Sequence, residues 1–381
     1  MPVAEASAAD SHYMRKALAL ARRMLGRTSP NPAVGCVIAR GGRIVGQGAT
    51  APGGRPHAEA AALARAGERA RGATAYVTFE PCAHRGRTPP CARTLVETGV
   101  RRVVIGCVDP YPPVRGRGLK ILRAAGIKIV NGVLEDECRD LNRGFITRVT
   151  RRRPFTTLKL ALSLDGRIAA ASGDSQWISS APSRALVHRW RSEADAVMVG
   201  AGTVIADDPR LTCRIPGGRD PVRVVIDGRL RVSPRARVFT QRSAAPALLV
   251  TTTANAARAR RRYGREGAGG RVEVVGCPGR RGEVDLRAAM REFARRGWCN
   301  VLIEGGANLA GAALGAGIVD RVAFFAAPIL VGTGTPAIEG LGFKRVRDAI
   351  KLGGLSLRRL GGDLLIQAEI AGRRGVSGRR S

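Results

Sequence analysis

A chain of 381 residues, 44% hydrophobic and 25% charged, is too long for one ordinary core and too apolar to be disordered, so two folded domains are expected. Eight cysteines are too few for a disulfide framework, no apolar run approaches the roughly 18 residues of a membrane helix, and the N-terminus lacks a signal-peptide layout. These features point to a cytoplasmic protein with no membrane partner. The net charge of +34 would suit a nucleic acid, yet only six of the 64 basic residues are lysine, the arginines are scattered through both halves, and aromatics make up 4%. It is read as a solvated arginine surface, with no nucleic-acid partner expected and a field that favours a phosphorylated small substrate.

In chain order, Ser11 is expected to cap a helix whose Met14, Ala17, Leu18, Ala21 and Leu25 recur at helical spacing. Ser29-Pro30-Asn31-Pro32 must be a loop, since two prolines so close block a helix. Strands are expected at Ala33–Ala39 and Arg43–Gly48 about a Gly41-Gly42 turn. A helix from His57 to Ala66, a strand at Ala73–Phe79, a helix from Thr88 to Thr98 and a strand at Arg102–Cys107 follow. A helix over Gly118–Ala125 and a strand over Ile127–Val130 complete an α/β layered pattern. The run Arg151-Arg152-Arg153-Pro154 marks a boundary, giving domains 1–150 and 151–372.

The second domain reads as strands at Phe155–Leu162, Ala196–Val199, Val222–Ile226, Ala247–Val250, Val272–Val275, Asn300–Ile303 and Val322–Ala326. Helices fit Ala181–Glu193, Val284–Arg296 and Leu309–Leu314. The Arg/Gly-rich stretch 254–281 is expected to be exposed loop around one short strand, and 373–381 a disordered basic tail.

Two of only four histidines fall where chemistry is concentrated. His57 opens P-H-A-E, and Pro81-Cys82 is followed by Cys91. One imidazole and two thiolates leave a fourth position open on a catalytic zinc. Glu59, two residues after the histidine at a helix start, can face that position without binding the metal. H-x-E followed by P-C and a second cysteine is the pattern of hydrolytic zinc deaminases. Here eight residues separate the cysteines, which indicates an inserted loop. The remaining cysteines sit alone, mostly in apolar strands, and suit core packing.

Around that constellation, S-P-N-P at 29–32, P-H-A-E at 56–59 and T-F-E-P-C-A-H-R-G-R-T-P-P-C at 78–91 resemble the bifunctional riboflavin biosynthesis deaminase–reductases. So do K-L-A-L-S-L-D-G-R-I-A at 159–169, S-G-D-S-Q-W-I-S at 172–179, G-A-G-T-V-I-A-D-D-P-R-L-T at 200–212 and E-G-G-A at 304–307. The resemblance covers nearly the whole chain. It implies a cytidine-deaminase-like three-layer α/β sandwich followed by a dihydrofolate-reductase-like α/β domain. It implies zinc and NADPH as cofactors, and a phosphorylated diaminopyrimidine that loses its 2-amino group before its ribosyl chain is reduced to ribityl. A homo-oligomer is compatible with it.

By the same resemblance, Asn31, His84, Arg87 and Asp109 would bind the deaminase substrate, with His84 and Arg87 at its phosphate. Tyr111 stands where many relatives have asparagine, and Thr50 where some have histidine; neither receives a role. Ala161, Trp177, Thr203, Asp207 and the 306–312 loop, including Gly306, Ala307 and Asn308, would hold the nicotinamide cofactor. Ser175, Arg191, Leu211, Arg214 and Glu304 would hold the phosphoribosyl group, the two arginines gripping the phosphate and Glu304 the ribose hydroxyls. Lys159 and Asp207 are candidate proton donors when the ring-opened sugar is reduced. Taken alone, Trp177 would fit core packing and Arg191 a solvated helix face. Gly305-Gly306 would fit either a tight turn or a backbone approach to pyrophosphate. Gly332-Thr333-Gly334-Thr335 reads as a tight turn. The competing functional readings are a nucleic-acid (tRNA) adenosine or cytidine deaminase with an accessory domain, and a non-enzymatic interaction protein.

Overall fold

The computed structural model describes residues 6–83, 89–112, 114–264 and 272–371. Contacts divide the chain into two compact units, one ending at Arg152 and the other starting at Arg153. The expected basic tail at 373–381 lies outside the described residues, as do 84–88 and 265–271. Among the described residues no helix is long and apolar enough to cross a membrane.

The first unit contains helices α1 (Ala8–Arg22), α2 (Ala58–Ala66), α3 (Cys91–Glu97), α4 (Arg117–Ala124), α5 (Glu135–Leu141) and α6 (Arg143–Arg151). Its five strands are β1 (Gly35–Arg40), β2 (Arg43–Ala49), β3 (Thr74–Phe79), β4 (Arg102–Cys107) and β5 (Lys128–Asn131), ordered β2-β1-β3-β4-β5. β1 runs antiparallel to β2 and β3, and β3, β4 and β5 are parallel. Helices cover both faces. Gly35 meets the α1 backbone at Ala17, whereas Gly48, opposite Cys36, meets α2, where an added Cβ would lie 2.7 Å from the Ala58 carbonyl oxygen. That close approach fixes the depth of α2, the helix that carries His57 and Glu59.

Helix α1 starts three residues before the expected cap. Ser7, not Ser11, caps it: the Ser7 side chain accepts from the Asp10 N–H and the Asp10 carboxylate accepts from the Ser7 N–H. This capping box outcompetes Ser11 because Asp10 also forks onto Arg102 at 2.6 and 2.9 Å while only 1% exposed. α5 and α6 were not anticipated. α5 opens on three acids and buries only Cys138, and α6 is a nine-residue helix interrupted by arginines, so neither shows a long helical period.

The second unit holds strands β6 (Phe155–Ser163), β7 (Arg167–Ala170), β8 (Ala196–Gly200), β9 (Val222–Ile226), β10 (Ala247–Thr252) and β11 (Glu273–Cys277). These are followed by β12 (Gly279–Arg280), β13 (Glu283–Val284), β14 (Asn300–Ile303), β15 (Arg321–Ala327), β16 (Gly334–Pro336), β17 (Leu352–Leu360) and β18 (Asp363–Ile370). Its helices are α7 (Ala181–Glu193), α8 (Ala201–Asp207), α9 (Arg237–Thr240), α10 (Thr253–Tyr263), α11 (Leu286–Arg295) and α12 (Ala307–Gly315). Nine strands form one sheet in the order β11-β10-β9-β8-β14-β6-β15-β18-β17. It is parallel from β11 to β15, and β18 and β17 add antiparallel at the edge. The chain leaves central β6 for β8 and returns through β14 between them, so the carboxyl ends of these strands flank a topological switch point.

Two expectations for this unit are corrected. The stretch 254–281 is not mainly loop: α10 fills its first part, burying Ala256, Ala259 and Tyr263 at helical spacing beneath a coat of arginines that masked the stripe in sequence. The 306–312 stretch is not a loop either, because Gly306 is the N-cap of α12 and the helix begins at Ala307. The β17–β18 hairpin was not anticipated, since its outer strand is exposed on both faces and shows no alternation.

The Arg102 guanidinium beside Asp10 holds its carboxyl at about 2, below the ordinary 3.8. A carboxylate depressed on folding stabilises fully above its unfolded pKa and loses that contribution as pH falls through the folded one. Asp10→Asn is expected to destabilise the protein by about 2 kcal/mol at neutral pH. The difference from wild type should narrow between about pH 4 and pH 2. Urea denaturation of both proteins across that range checks it.

Candidate active sites

His57 is the N-cap of α2, with extended backbone and no side-chain capping bond, so its ring is free for other partners. Glu59 follows at the second helical position. Cys82 comes just after β3, and Cys91 is the first residue of α3, set by Pro90 before it. His57 Nδ1 lies 3.3 Å from Cys91 Sγ and 3.6 Å from Cys82 Sγ, and all three atoms are within 4.8 Å of one another. The Cys91 backbone N–H points at Cys82 Sγ at 3.4 Å. The hydrogen bond from Cys91, followed by that from His57, draws the Cys82 thiol down to about 4 against the effect of burial. The neighbouring sulfur and burial push Cys91 up in turn. Burial, then the charge at Cys82, raises Glu59 to about 7. One nitrogen and two soft sulfurs converging at these distances fit zinc, and Glu59 stands beside the position they leave open.

Above them lies a cavity of about 340 Å³ lined by Asn31, Thr50, His57, Glu59, Cys82, Asp109 and Tyr111, among others. The structure thus brings together every described residue expected there, with Cys91 buried beneath the cavity; His84 and Arg87 lie outside the described residues. Asn31 donates to the Gly54 carbonyl at 3.3 Å. Thr50 closes the mouth of the hairpin by accepting the Val34 N–H at its hydroxyl. Asp109 accepts the Tyr111 N–H at 2.8 Å, and burial raises it to about 7.

Glu80 and Arg148, absent from the expected site residues, also line this cavity. Glu80 accepts the N–H groups of Asp109, Gly116, Gly118 and Leu119 at 3.0–3.4 Å, tying the 109–119 segment to the strand end that carries Cys82. Gly118 permits this, since a Cβ there would fall 2.0 Å from the Pro81 carbonyl oxygen. Arg148 donates to the Pro30 carbonyl and so braces the loop that bears Asn31. The T-F-E-P-C string held a hint of Glu80; nothing in sequence marked Arg148.

In the second unit a cavity of about 570 Å³ opens at the carboxyl ends of β8 and β14. Lys159, Ala161, Ser175, Trp177, Arg191, Thr203, Asp207, Leu211, Arg214, Glu304 and Gly306 all line it. Of the residues expected there, Ala307 and Asn308 do not, being in the first turn of α12 behind Gly306. Thr203 accepts the Gly306 N–H at 3.0 Å, and Ser175 donates to Asp207 at 3.3 Å. Trp177 is 69% exposed, with the Arg184 guanidinium 4.6 Å over its ring, so it is not core packing.

Arg191 differs from expectation. Nε and Nη2 fork onto Glu304 at 2.6 and 2.9 Å, and Nη1 donates to the Thr212 carbonyl at 3.1 Å. Its donors face a buried carboxylate, leaving Arg214 as the expected residue whose cation stays exposed at the cavity. Burial works to raise Glu304, but Arg191 and Lys159 hold it below the carboxylate range. Burial lowers Lys159, opposed by Glu304.

A model of the cytidine and deoxycytidylate deaminase zinc-binding region matches residues 7–107, and one of the RibD C-terminal domain matches 154–366. The chain is 40% identical to the riboflavin biosynthesis protein RibD of Aquifex aeolicus, covering 94% of this chain and 97% of that one. It is 40% identical to that of Escherichia coli strain K12, over 94% and 98%. In structure it is similar to a diaminohydroxyphosphoribosylaminopyrimidine deaminase/5-amino-6-(5-phosphoribosylamino)uracil reductase from Thermotoga maritima, with TM-score 0.83, 35% identity, and coverage of 95% and 99%.

The three converging ligand atoms make metal content the direct check. Purified protein is expected to carry about one zinc per chain. Cys82→Ser and Cys91→Ser should each lower it severalfold by elemental analysis; full occupancy in both would remove them from the ligand set.

Proposed function

The chain belongs to the RibD family and is a bifunctional deaminase and reductase of riboflavin biosynthesis that uses zinc and NADPH, and from that premise we propose which residues carry each reaction. The match of the second unit to the RibD C-terminal domain sets aside the reading as a nucleic-acid deaminase with an accessory domain.

The first domain acts on a 2,5-diamino-6-ribosylamino-pyrimidinone 5′-phosphate. His57, Cys82 and Cys91 would hold the zinc, which when bound would supply the Lewis acidity for a hydrolytic deamination near neutral pH. Glu59 takes a proton and returns it to the departing 2-amino group, a task suited to a buried carboxyl raised to about 7. Asn31 orients the pyrimidine, Asp109 meets the ribose, and His84 and Arg87 meet the phosphate. The observation that carries this reading is the convergence of three ligand atoms with Glu59 on one cavity.

The second domain reduces the deaminated product. Ala161, Trp177, Thr203, Asp207 and Gly306, the N-cap of α12, would hold NADPH, which would supply the hydride when bound. Ser175, Leu211, Arg214 and Glu304 bind the phosphoribosyl chain, Arg214 at its phosphate, while Arg191 aligns Glu304. Lys159, which lines the cavity and is lowered by desolvation, gives the proton when the ring-opened sugar is reduced. All eight cysteines are unpaired thiols, which supports a cytoplasmic location.

Steady-state assays of each half-reaction test the division. Glu59→Gln is expected to keep zinc and lose deamination by roughly 10³-fold or more, while still oxidising NADPH with the deaminated substrate. Arg214→Ala should spare deamination and raise the reductase KM. Loss of both activities in folded Glu59→Gln would overturn the two-site assignment.

Self-association is also proposed, through the edge strand β17. Leu352, Leu355 and Leu357 are exposed on it, and among the described residues no strand pairs with its outer row of N–H and C=O groups. Antiparallel pairing with the same strand of a second copy would satisfy both rows about one two-fold axis. Analytical ultracentrifugation should give a dimer for wild type and monomer for Leu355→Asp/Leu357→Asp; an unchanged dimer would exclude β17.

A further inference from the structure

Helix α7 turns Arg184, Val187, His188 and Arg191 to the larger cavity, the spacing of one helical face. Each polar member of this stripe grips a different wall. Arg184 donates to the Ser179 carbonyl and lies over Trp177, and Arg191 forks onto Glu304. Neither reaction has assigned a role to His188, whose ring faces the loop that carries Arg214.

His188 Nδ1 accepts the backbone N–H of Arg214 at 3.2 Å, and its own carbonyl accepts the Cys213 thiol at 3.3 Å. A ring nitrogen that accepts an N–H carries no proton, so the contact requires a neutral ring. The surroundings enforce that state: burial, then Arg191 and Arg214, push His188 down to about 4, with Glu304 opposing them. The loop it grips needs an anchor. Leu211 sits at φ +57°, a left-handed conformation that a leucine adopts only when neighbouring contacts hold it. Leu211 is buried, whereas Arg214 is exposed at the cavity, so the end of the loop that carries the cation is the end least held by packing.

We propose that His188 is a positioning residue of the reductase site: by accepting the Arg214 amide it fixes the Leu211–Arg214 loop and holds the Arg214 guanidinium at the substrate's phosphate. This rests on the reading above that Arg214 meets that phosphate.

The test uses the full-length enzyme with zinc and NADPH. Reduction of the deaminated ribosylaminouracil 5′-phosphate is compared with that of the same compound lacking its phosphate. His188→Leu keeps the bulk and cannot accept the N–H. It is expected to raise KM for the phosphorylated compound about tenfold, while kcat and the KM of the dephosphorylated one move less than about threefold. His188→Gln, whose Oε1 can take the same N–H, should restore the phosphate preference to within about threefold of wild type. Added to Arg214→Ala, which itself abolishes the preference, His188→Leu should cause no further rise. A preference that survives Arg214→Ala would mean Arg214 does not meet the phosphate, and the reading and the inference fall together. A preference lost in Arg214→Ala but intact in His188→Leu would overturn the inference alone. So would equal impairment in His188→Gln and His188→Leu, or an equal loss with both substrates.

Discussion

The deaminase half depends on an approach that chain connectivity does not favour: one imidazole and two sulfurs, from three separate elements, gathered within 4.8 Å. Packing forces it. Gly48 lets α2 sit against β2, which sets the height of His57 and Glu59. The β3 end brings Cys82 to the same level, and Pro90 starts α3 so that Cys91 meets it as its first residue. The Cys91 N–H on Cys82 Sγ and the Ala92 N–H on the Cys82 carbonyl then lock the two cysteine segments together. Negative sulfur is tolerated there because backbone donors and the imidazole face it. A glutamate buried beside that charge cannot hold a full negative charge cheaply, which is why Glu59 is poised near neutrality.

The reductase half uses the opposite device, a buried ion pair as a rigid strut. Breaking such a pair leaves a charge stranded, so its geometry is held tightly even where its net contribution to stability is small. Arg191 spends two donors on Glu304 and one on the Thr212 carbonyl, thereby joining α7, the end of β14 and the segment leading to Arg214. Glu304 stays ionised at the cavity because that fork offsets its burial. On the other side of the cavity, the Gly306 N–H goes to Thr203, so α8 and the start of α12 move as one wall.

What could be read from sequence tracks the range of each interaction. His57, Glu59, Cys82 and Cys91 were legible because their chemistry is written in short spacings beside helix and strand ends. The central strands of both sheets were legible because buried apolar runs need no context. Ser7 as a cap was missed because the decision between it and Ser11 is made by Arg102, on a strand far along the chain. α10 was missed because eight of the nine residues from Ala254 to Arg262 are alanine or arginine, a composition that flattens the apolar period. Arg148 and His188 were invisible as functional residues, and Glu80 was only hinted at, for one shared reason. Each acts on backbone groups, of 109–119, Pro30 and Arg214, and a backbone partner leaves no residue type to read. The pairing of Arg191 with Glu304 was missed because both residues match cavity positions and only their mutual distance shows that they satisfy each other.

The net charge of +34 acquires a structural meaning from where the acids are. Asp10, Glu59, Glu80, Asp109, Asp195, Asp227, Asp320 and Asp363 are buried, whereas Arg223 is the one comparably buried base among the described residues. Most of these acids are acceptors for backbone N–H groups. Asp195 takes those of Cys299 and Asn300, Asp227 that of Val232, Asp320 that of Thr156, and Asp363 that of Ser180. A carboxylate with several lone pairs can terminate helices and strand ends at once, a use for which arginine, with donors only, cannot substitute. The fold therefore withdraws negative charge into its joints and leaves the surface more cationic than the composition alone implies. Such a surface raises the local concentration of any anionic small molecule around both cavities. A chain whose two reactions act on phosphorylated compounds thus gains encounter rate from the same acids that hold its strands in place.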